Sequence, residues 1–401
     1  MKTAVTLVIL WTLLLTRSVS DAKQLRDLIP GLYGGDGITL APPPADSPFP
    51  SHAPHFTVAS AASINRLNEQ LTAAIGAFPF SSSVGGFTFS FDPLLGTFLR
   101  TTETLGPLFA ERAPTLGRGK FNFNAAFTFF KYDSFNGERL NNLHVDALHQ
   151  PDVIPPNDER TSFELDTIRI NFDIDIRVRI FSLVATYGVT ERLDVGILMP
   201  IVNVDMRVKS HAEIITSPTN PFPAVHTFVG GPESPDDHAS GSATGVGDVV
   251  LRAKYYLLKS EVIDVAGALL TKLATGSHGD FLGTGTTTIR PFLILSRTLF
   301  GILTPHLNLG YEFNLDRGSQ STVEYVIGFD LGTSRLTFAG ELLGSYAPSG
   351  DGSGDHILTA SMGVKWNPWK QLLVSANAQV PVNRSGLRSD LILTFGAEYS
   401  F

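Results

Sequence analysis

From Lys120 to the C-terminus, apolar and polar residues alternate in segment after segment, and a period of two marks a β-strand with two unlike faces. Phe121, Phe123, Ala125, Phe127 and Phe129 share one face, against Asn122, Asn124, Ala126 and Thr128 on the other. Ile168, Ile170, Phe172, Ile174, Ile176 and Val178 oppose Arg169, Asn171, Asp173, Asp175, Arg177 and Arg179. The parity slips at Ile180-Phe181, as a bulge would make it do, and Leu183, Ala185 and Tyr187 continue the apolar face. Leu251, Ala253 and Tyr255 oppose Arg252 and Lys254, and Leu391, Leu393, Phe395, Ala397, Tyr399 and Phe401 oppose Thr394, Glu398 and Ser400.

Such segments number about twelve: 119–132, 165–187, 193–208, 247–257, 262–273, 286–297, 303–314, 322–331, 335–346, 355–366, 371–381 and 390–401. Their connections are alternately short (Gly188–Arg192, Leu258–Glu261, Gly332–Ser334) and long (Asp133–Glu164, Lys209–Val246, Ala274–Gly285). Tight turns on one side and free loops on the other, with an even strand count, describe a closed transmembrane barrel. A sandwich or propeller imposes no such alternation. The expected fold is therefore all-β, a transmembrane antiparallel β-barrel of about twelve strands over 119–401. Its apolar faces meet the lipid bilayer and its polar faces enclose a lumen.

Composition agrees by exclusion. Only 17% of residues are charged, and with no Cys there is no disulfide scaffold, thiolate metal site or cysteine nucleophile. A net charge of −8 and a pI near 5.7 exclude the basic face of a nucleic-acid binder. No cofactor or metal motif stands out, and the loop residues His144, Asp146, His149, Asp236, Asp237 and His238 match no ligand spacing. Residues 1–20 read as a secretory signal: Lys2, an apolar run over Ala4–Leu15, then Ser18-Val19-Ser20 before Asp21.

Residues 21–118 do not alternate. Asp21–Tyr33 offers a short helical turn, Ala41–Pro54 is a Pro-rich extended linker, and Ser60–Phe78 shows helical spacing with Ser60 as N-cap. Phe87, Phe89 and Phe91 suggest a short strand before Pro93, and Arg100–Arg118 is irregular. This partly helical segment is either a plug in the lumen or a periplasmic appendage; a barrel of this width leaves room for a partial plug.

The last strand adds a location. Phe401, Tyr399 and the alternating apolar residues back to Leu391 resemble the C-terminal assembly signal of Gram-negative outer-membrane barrels, which implies the outer-membrane assembly machinery as a partner. The chain also resembles a family of outer-membrane proteins, labelled as transporters, that is associated with the meta-pathway of phenol degradation. The resemblance lies in Ala185–Val195, Met199–Val202, Gly245–Tyr255, Gly283–Gly285 with Arg290–Phe292, and Thr304–Tyr311. It is clearest from about residue 119 onward and implies a fold and a location more than a substrate.

The leading functional reading is a channel or facilitator for small apolar or aromatic solutes. Strand parity places Arg169, Asp173, Asp175, Arg177, Arg179, Arg252, Lys254, Arg290 and Glu341 on the lumen side, where substitutions tune selectivity. For each of these the simpler role is an ion pair with its neighbours. The alternative is a structural or adhesive barrel with a blocked lumen. A barrel-type lipid hydrolase would need an outward serine to pair with His356, and parity turns Ser345 and Ser375 inward, while His306 faces the lumen; no catalytic residue is assigned.

Overall fold

The computed structural model describes residues 24–32, 38, 40–42, 53–75, 89–92, 97–100, 104–148, 165–218, 226–229, 234, 237–348, 356–369 and 371–401. The secretory signal lies outside them. One antiparallel sheet contains β1 (Phe121–Tyr132), β2 (Leu143–Leu148), β3 (Thr167–Gly188), β4 (Leu193–Ile215), β5 (Asp237–Val246), β6 (Val249–Leu258) and β7 (Asp264–Leu273). It continues with β8 (Thr288–Ser296), β9 (Leu303–Asn314), β10 (Thr322–Gly332), β11 (Leu336–Tyr346), β12 (His356–Trp369), β13 (Leu372–Pro381) and β14 (Ile392–Ser400). Of these fourteen, β2 and β5 are flanking strands, and the other twelve form a ring closed by the β3–β4 pairing.

Closure also joins the first and last strands: β1 pairs β14, and Phe121 and Phe401 exchange backbone hydrogen bonds of 2.8 and 2.9 Å. A closed ring leaves no unpaired edge, the condition for putting strands into hydrocarbon. Around the outside run exposed Phe127, Phe181, Ile197, Leu269, Leu293, Ile327, Phe338 and Phe395, while inward Asn122, Thr128, Asn308, Asn377 and Glu398 are buried. The molecule is greasy outside and polar inside, so it spans a membrane. Closed barrels with this outward apolar band belong to the bacterial outer membrane, with tight turns in the periplasm and long connections outside. Among the described residues no helix is long and apolar enough to cross a membrane.

The expected bulge at Ile180-Phe181 is not there. β3 pairs β4 without a register shift from Thr167 to Gly188, and its even-numbered residues are buried throughout. What changes is the chemistry of both faces at once. Below residue 181 the outward positions are Phe181, Leu183, Ala185 and Tyr187, and the inward ones include Ser182 and Thr186. Above it the outward positions are charged apart from Thr167 and Asn171, and inward Ile168, Ile170, Phe172, Ile174, Ile176, Val178 and Ile180 are each at most 1% exposed. The strand has left the bilayer.

At roughly 3.3 Å per residue, strands of 22 and 23 residues far exceed an apolar band of about 25 Å. Their upper halves form a ribbon flanked by β2 and β5, which occupy stretches expected to be loop. The ribbon's inward face is covered by the N-terminal segment: Leu25, Leu28, Ile29, Leu32, Ile38, Phe56, Ile64, Leu67 and Leu71 join one apolar core with Ile168–Ile180 and Val202–Val208. Burying each such side chain stabilises by about 1.5–3 kcal/mol.

The N-terminal helices are α1 (Leu28–Gly31) and α2 (Ala53–Ile75). Helix α2 starts earlier than its apolar spacing implied, because Pro54 fits a first helical turn, where no N–H is required of it. Ser60 is thus not a cap; its hydroxyl accepts the Ile38 N–H at 2.9 Å and pins the preceding chain to the helix. The strand expected before Pro93 is a hairpin of Phe89–Asp92 with Thr97–Arg100.

The polarity reversal sets a test. Phe127→Arg, facing lipid near the middle of β1, is expected to cost about 2–4 kcal/mol. Ser240→Glu, on the ribbon opposite Arg207, is expected to leave stability unchanged. Denaturant unfolding in lipid vesicles measures both.

Candidate functional site: a lumen closed from two sides

The stretch 104–118 enters the barrel from the short-turn side, rises to mid-lumen and returns to Gly119, where β1 begins. It returns beside the β3–β4 turn: Gly119 N–H donates to Gly188 O at 2.8 Å, and a Cβ on Gly188 would lie 1.8 Å from Gly117 O. Only glycine fits there.

This inner loop has little regular structure, so its backbone groups are satisfied by inward side chains of the ring. The Glu341 carboxylate of β11 accepts three successive N–H groups, from Leu108 and Phe109 at 2.8 Å each and from Ala110 at 3.2 Å. Such a run of amides is an anion cradle, here filled by the protein's own carboxylate. Asn308 of β9 reads Glu111 on both sides, accepting its N–H at 2.6 Å and donating to its C=O at 3.0 Å. Thr337 receives Leu105 N–H at 2.8 Å, Ser296 receives Ala113 N–H at 3.0 Å, and Asp194 receives Leu116 N–H at 2.9 Å.

Charged pairs complete the attachment. Arg252 of β6 clamps Glu111 with both arms, its Nε at 2.6 Å from Oε1. Arg112 binds Asp330 of β10 and the Thr104 hydroxyl. Lys254, with a fully buried side chain, donates to the carbonyls of Arg112 at 3.0 Å and Pro114 at 2.7 Å. His306 lies between the two acids that hold the loop, 3.7 Å from Asp330 and 3.5 Å from Glu341. Removing one member of a buried pair leaves a charge uncompensated and costs about 3–5 kcal/mol, so this loop is firmly held.

On the long-connection side, α2 lies against β2, with Ser63 Oγ donating to Asp146 O at 3.3 Å and Asn68 Nδ2 to Arg26 O at 2.8 Å. Between helix and inner loop is a cavity of about 810 Å³. Gln70 of α2 and Phe109 and Glu111 of the inner loop line it from opposite ends. Its walls combine aromatic side chains (Phe130, Tyr132, Phe135, Phe292, Tyr325) with an ionic chain. In that chain Lys272 is 3.7 Å from Glu312, and Arg290 is 3.9 Å from both Glu312 and Glu324. These four charges are spent on one another, which leaves the aromatic side chains and aliphatic ones such as Leu198, Val250, Leu270 and Leu343 to meet a solute.

The nine residues assigned to the lumen divide into two groups. Arg252, Lys254, Arg290 and Glu341 project inward, the first two and Glu341 onto the inner loop and Arg290 into the cavity wall. Arg169, Asp173, Asp175, Arg177 and Arg179 project outward from the ribbon, because the strand keeps its register where a bulge was expected. They form a ladder across β3 and β4: Arg169 faces Glu213, Asp173 faces Lys209, Asp175 faces Arg207 and Arg177 faces Asp205. Arg179 reaches Asp205 at 2.6 Å and Arg169 reaches Asp146 of β2 at 3.0 Å. Tyr399 and Phe401 sit on the outer face at the short-turn end, the Phe401 ring 5.1 Å from that of Phe121.

Glu111, Arg112, Asn308 and Asp330 escaped the sequence reading. The two ring residues lie at inward parity, a signal present in the alternation; Glu111 and Arg112 lie in an aperiodic stretch that carries none. Among the described residues no group of acids and histidines is arranged to hold a metal.

Geometry and surface thus define an outer-membrane β-barrel whose lumen is narrowed from both sides. The chain belongs to the family described as "Putative MetA-pathway of phenol degradation", whose model matches residues 157–387. No curated protein matches it. Among solved structures it is similar to an outer-membrane channel of Pseudomonas putida F1, at 11% identity and a TM-score of 0.46, covering 72% of this chain and 98% of that one. It is also similar to the Ralstonia pickettii toluene transporter TbuX, at 11% identity and a TM-score of 0.37, covering 71% and 90%. A Pseudomonas aeruginosa FadL homologue gives 11% identity and a TM-score of 0.31, covering 70% and 88%.

The inner loop sets a second test. Glu341→Gln removes the charge from three hydrogen bonds and is expected to weaken the loop's attachment by roughly 2 kcal/mol. Amide exchange at Leu108, Phe109 and Ala110 then quickens while exchange within β9–β12 does not.

Proposed function

We propose that the barrel is an outer-membrane channel or facilitator for small apolar or aromatic solutes. The observation that carries this reading is the cavity between α2 and the inner loop, where Lys272, Arg290, Glu312 and Glu324 are paired with one another and aromatic and aliphatic side chains supply most of the exposed wall. Small-molecule sites have this character: a concave, mostly apolar chamber with a few placed polar groups. The family's description, which refers to phenol degradation, is in keeping with an aromatic solute.

In this reading residues 21–118 are a plug rather than a periplasmic appendage, with α2 as its outer part and 104–118 as its inner part. Transport serves as the whole activity. The Nε2 of His356, one histidine a hydrolase could have used, is engaged by the Tyr325 hydroxyl at 2.7 Å. Tyr399 and Phe401, exposed on the outer face of the last strand, are the residues the assembly machinery would grip.

The competing reading is a barrel permanently blocked by its plug. Uptake of phenol, benzene and an aliphatic control by cells with and without the protein separates the two. Faster uptake of the aromatic solutes with the protein present is expected; equal rates for all three would reject the channel. In planar bilayers, Arg252→Met together with Glu341→Gln frees the inner loop and is expected to raise the conductance above that of the unaltered barrel.

A further inference from the structure

The carboxylates lining the cavity all have partners. Glu111 is held by Arg252, and Glu312 and Glu324 lie beside Arg290. Asp248 is occupied by the N–H groups of Gly276 at 3.0 Å and Thr284 at 2.8 Å. One buried cation of the same wall is left over. Arg388 is 7% exposed, and among the described residues no carboxylate pairs with its guanidinium. Its position is fixed by a short ladder in which Leu387–Arg388 pairs with Ser134–Phe135, folding the last long connection against the first. The acids nearest it in the chain are engaged elsewhere: Asp390 pairs with exposed Arg139 at 2.7 Å, and Asp133 accepts the Asp390 N–H at 2.8 Å. Of the guanidinium donors, Nη2 reaches Leu358 O and the Thr359 hydroxyl, the latter at 3.0 Å, while Nε has no partner.

A second unanswered donor stands beside it. Gln379, at an inward position of β13 and 1% exposed, lines the same wall, and its Nε2 has no partner either. The sheet brings the two together. Gln379 is the direct partner of Ser361 on β12, so Thr359, the residue that Arg388 holds, is its diagonal neighbour. In the other direction the same row runs from Gln379 through Ile392 of β14 to Phe130 of β1. Phe130 packs edge-on against Tyr132 with ring centroids 5.1 Å apart, and both line the cavity. Two strand spacings, about 10 Å, separate the backbones of Gln379 and Phe130. That span accommodates one aromatic ring with an acid group attached to it.

We infer that the cavity binds a single-ring aromatic acid, with its carboxylate on Arg388 and Gln379 and its ring on Phe130 and Tyr132. The inference rests on the channel reading above and narrows its solute from aromatic compounds at large to aromatic acids. A buried cation and a buried amide donor are costly until an acceptor meets them. A carboxylate answers both: it carries the opposite charge, and its two oxygens match the planar fork of a guanidinium. A hydrocarbon leaves the donors and the charge unanswered, and a neutral oxygen answers only the donors. Lys272 and Arg290, across the cavity, do not compete for the acid because Glu312 and Glu324 already neutralise them.

The test titrates the purified full-length barrel in detergent with sodium benzoate, with its neutral isostere benzamide, and with acetate, which lacks the ring. Calorimetry is expected to show benzoate binding about tenfold or more tighter than either comparison compound. Arg388→Met is expected to weaken benzoate binding roughly 10–100-fold. Because Arg388 also holds Leu358 and Thr359, closure of every variant barrel is checked by its heat-dependent mobility in detergent gels. Gln379→Leu removes a donor that binds nothing in the wall, so it spares the structure, and a several-fold loss of benzoate affinity is expected. Equal binding of benzoate and either comparison compound, or unaltered benzoate affinity in either closed variant, overturns the inference. Uptake of phenol or benzene by a barrel that does not bind benzoate sinks the acid site and leaves the channel. Benzoate bound by a barrel that admits no solute sinks the channel and leaves the site.

Discussion

Backbone hydrogen bonding is the constraint on which the rest depends. In hydrocarbon a peptide group has no water to fall back on, so a sheet can cross only by closing on itself. Strands β1 and β14 meet at the ends of the barrel sequence, and Phe121 and Phe401 tie the two ends together. The whole exterior can be apolar because no polar edge is left over. At Pro291, where the β8–β9 ladder is interrupted, an apolar groove outside meets the wall of the lumen cavity inside. A missing rung there is tolerable because Phe292 and the flanking leucines keep the spot dry.

Closure creates a second requirement. A ring of this width encloses polar side chains that cannot all reach one another, and an irregular loop brings backbone groups that need partners. Each solves the other's problem. Glu341, Asn308, Ser296, Thr337 and Asp194 satisfy the amides of 104–118, while Glu111 and Arg112 neutralise Arg252 and Asp330. The loop's position is thereby specified more by hydrogen bonds and charge than by apolar burial. At the outer end the balance is reversed: α1 and α2 are held by aliphatic contacts on the ribbon.

The barrel was legible because a lipid-facing strand writes its environment into every second residue. Strand β9 was bounded correctly at Leu303–Asn314, and β10, β11 and β13 to within a residue at either end. Strands β2 and β5 were missed for physical reasons. β5 carries His238, Ser240 and Ser242 outside and Asp237, Ala239, Gly241 and Ala243 inside, too small and too polar to show a greasy face. The lumen assignment failed at Arg169–Arg179 because alternation reveals two faces without saying which is inner. Only the depth of the strand in the bilayer decides that, and depth is not encoded locally. The plug contacts were illegible because they join an aperiodic stretch to residues far along the chain, such as Glu111 to Arg252.

The ribbon above the membrane has a consequence for how this protein can change over generations. About 14 residues of β3, from Thr167 to Ile180, project some 45 Å into the surroundings of the cell. Both faces are committed, one to a packed aliphatic seam and the other to rungs of opposite charge. The seam restricts mutation to swaps of similar bulk. The rungs permit sign exchange, provided Asp173 and Lys209, or Asp175 and Arg207, change together. A surface exposed to phage and antibodies can therefore vary its electrostatic appearance in compensated pairs while its backbone, and the helix docked behind it, stay where they are.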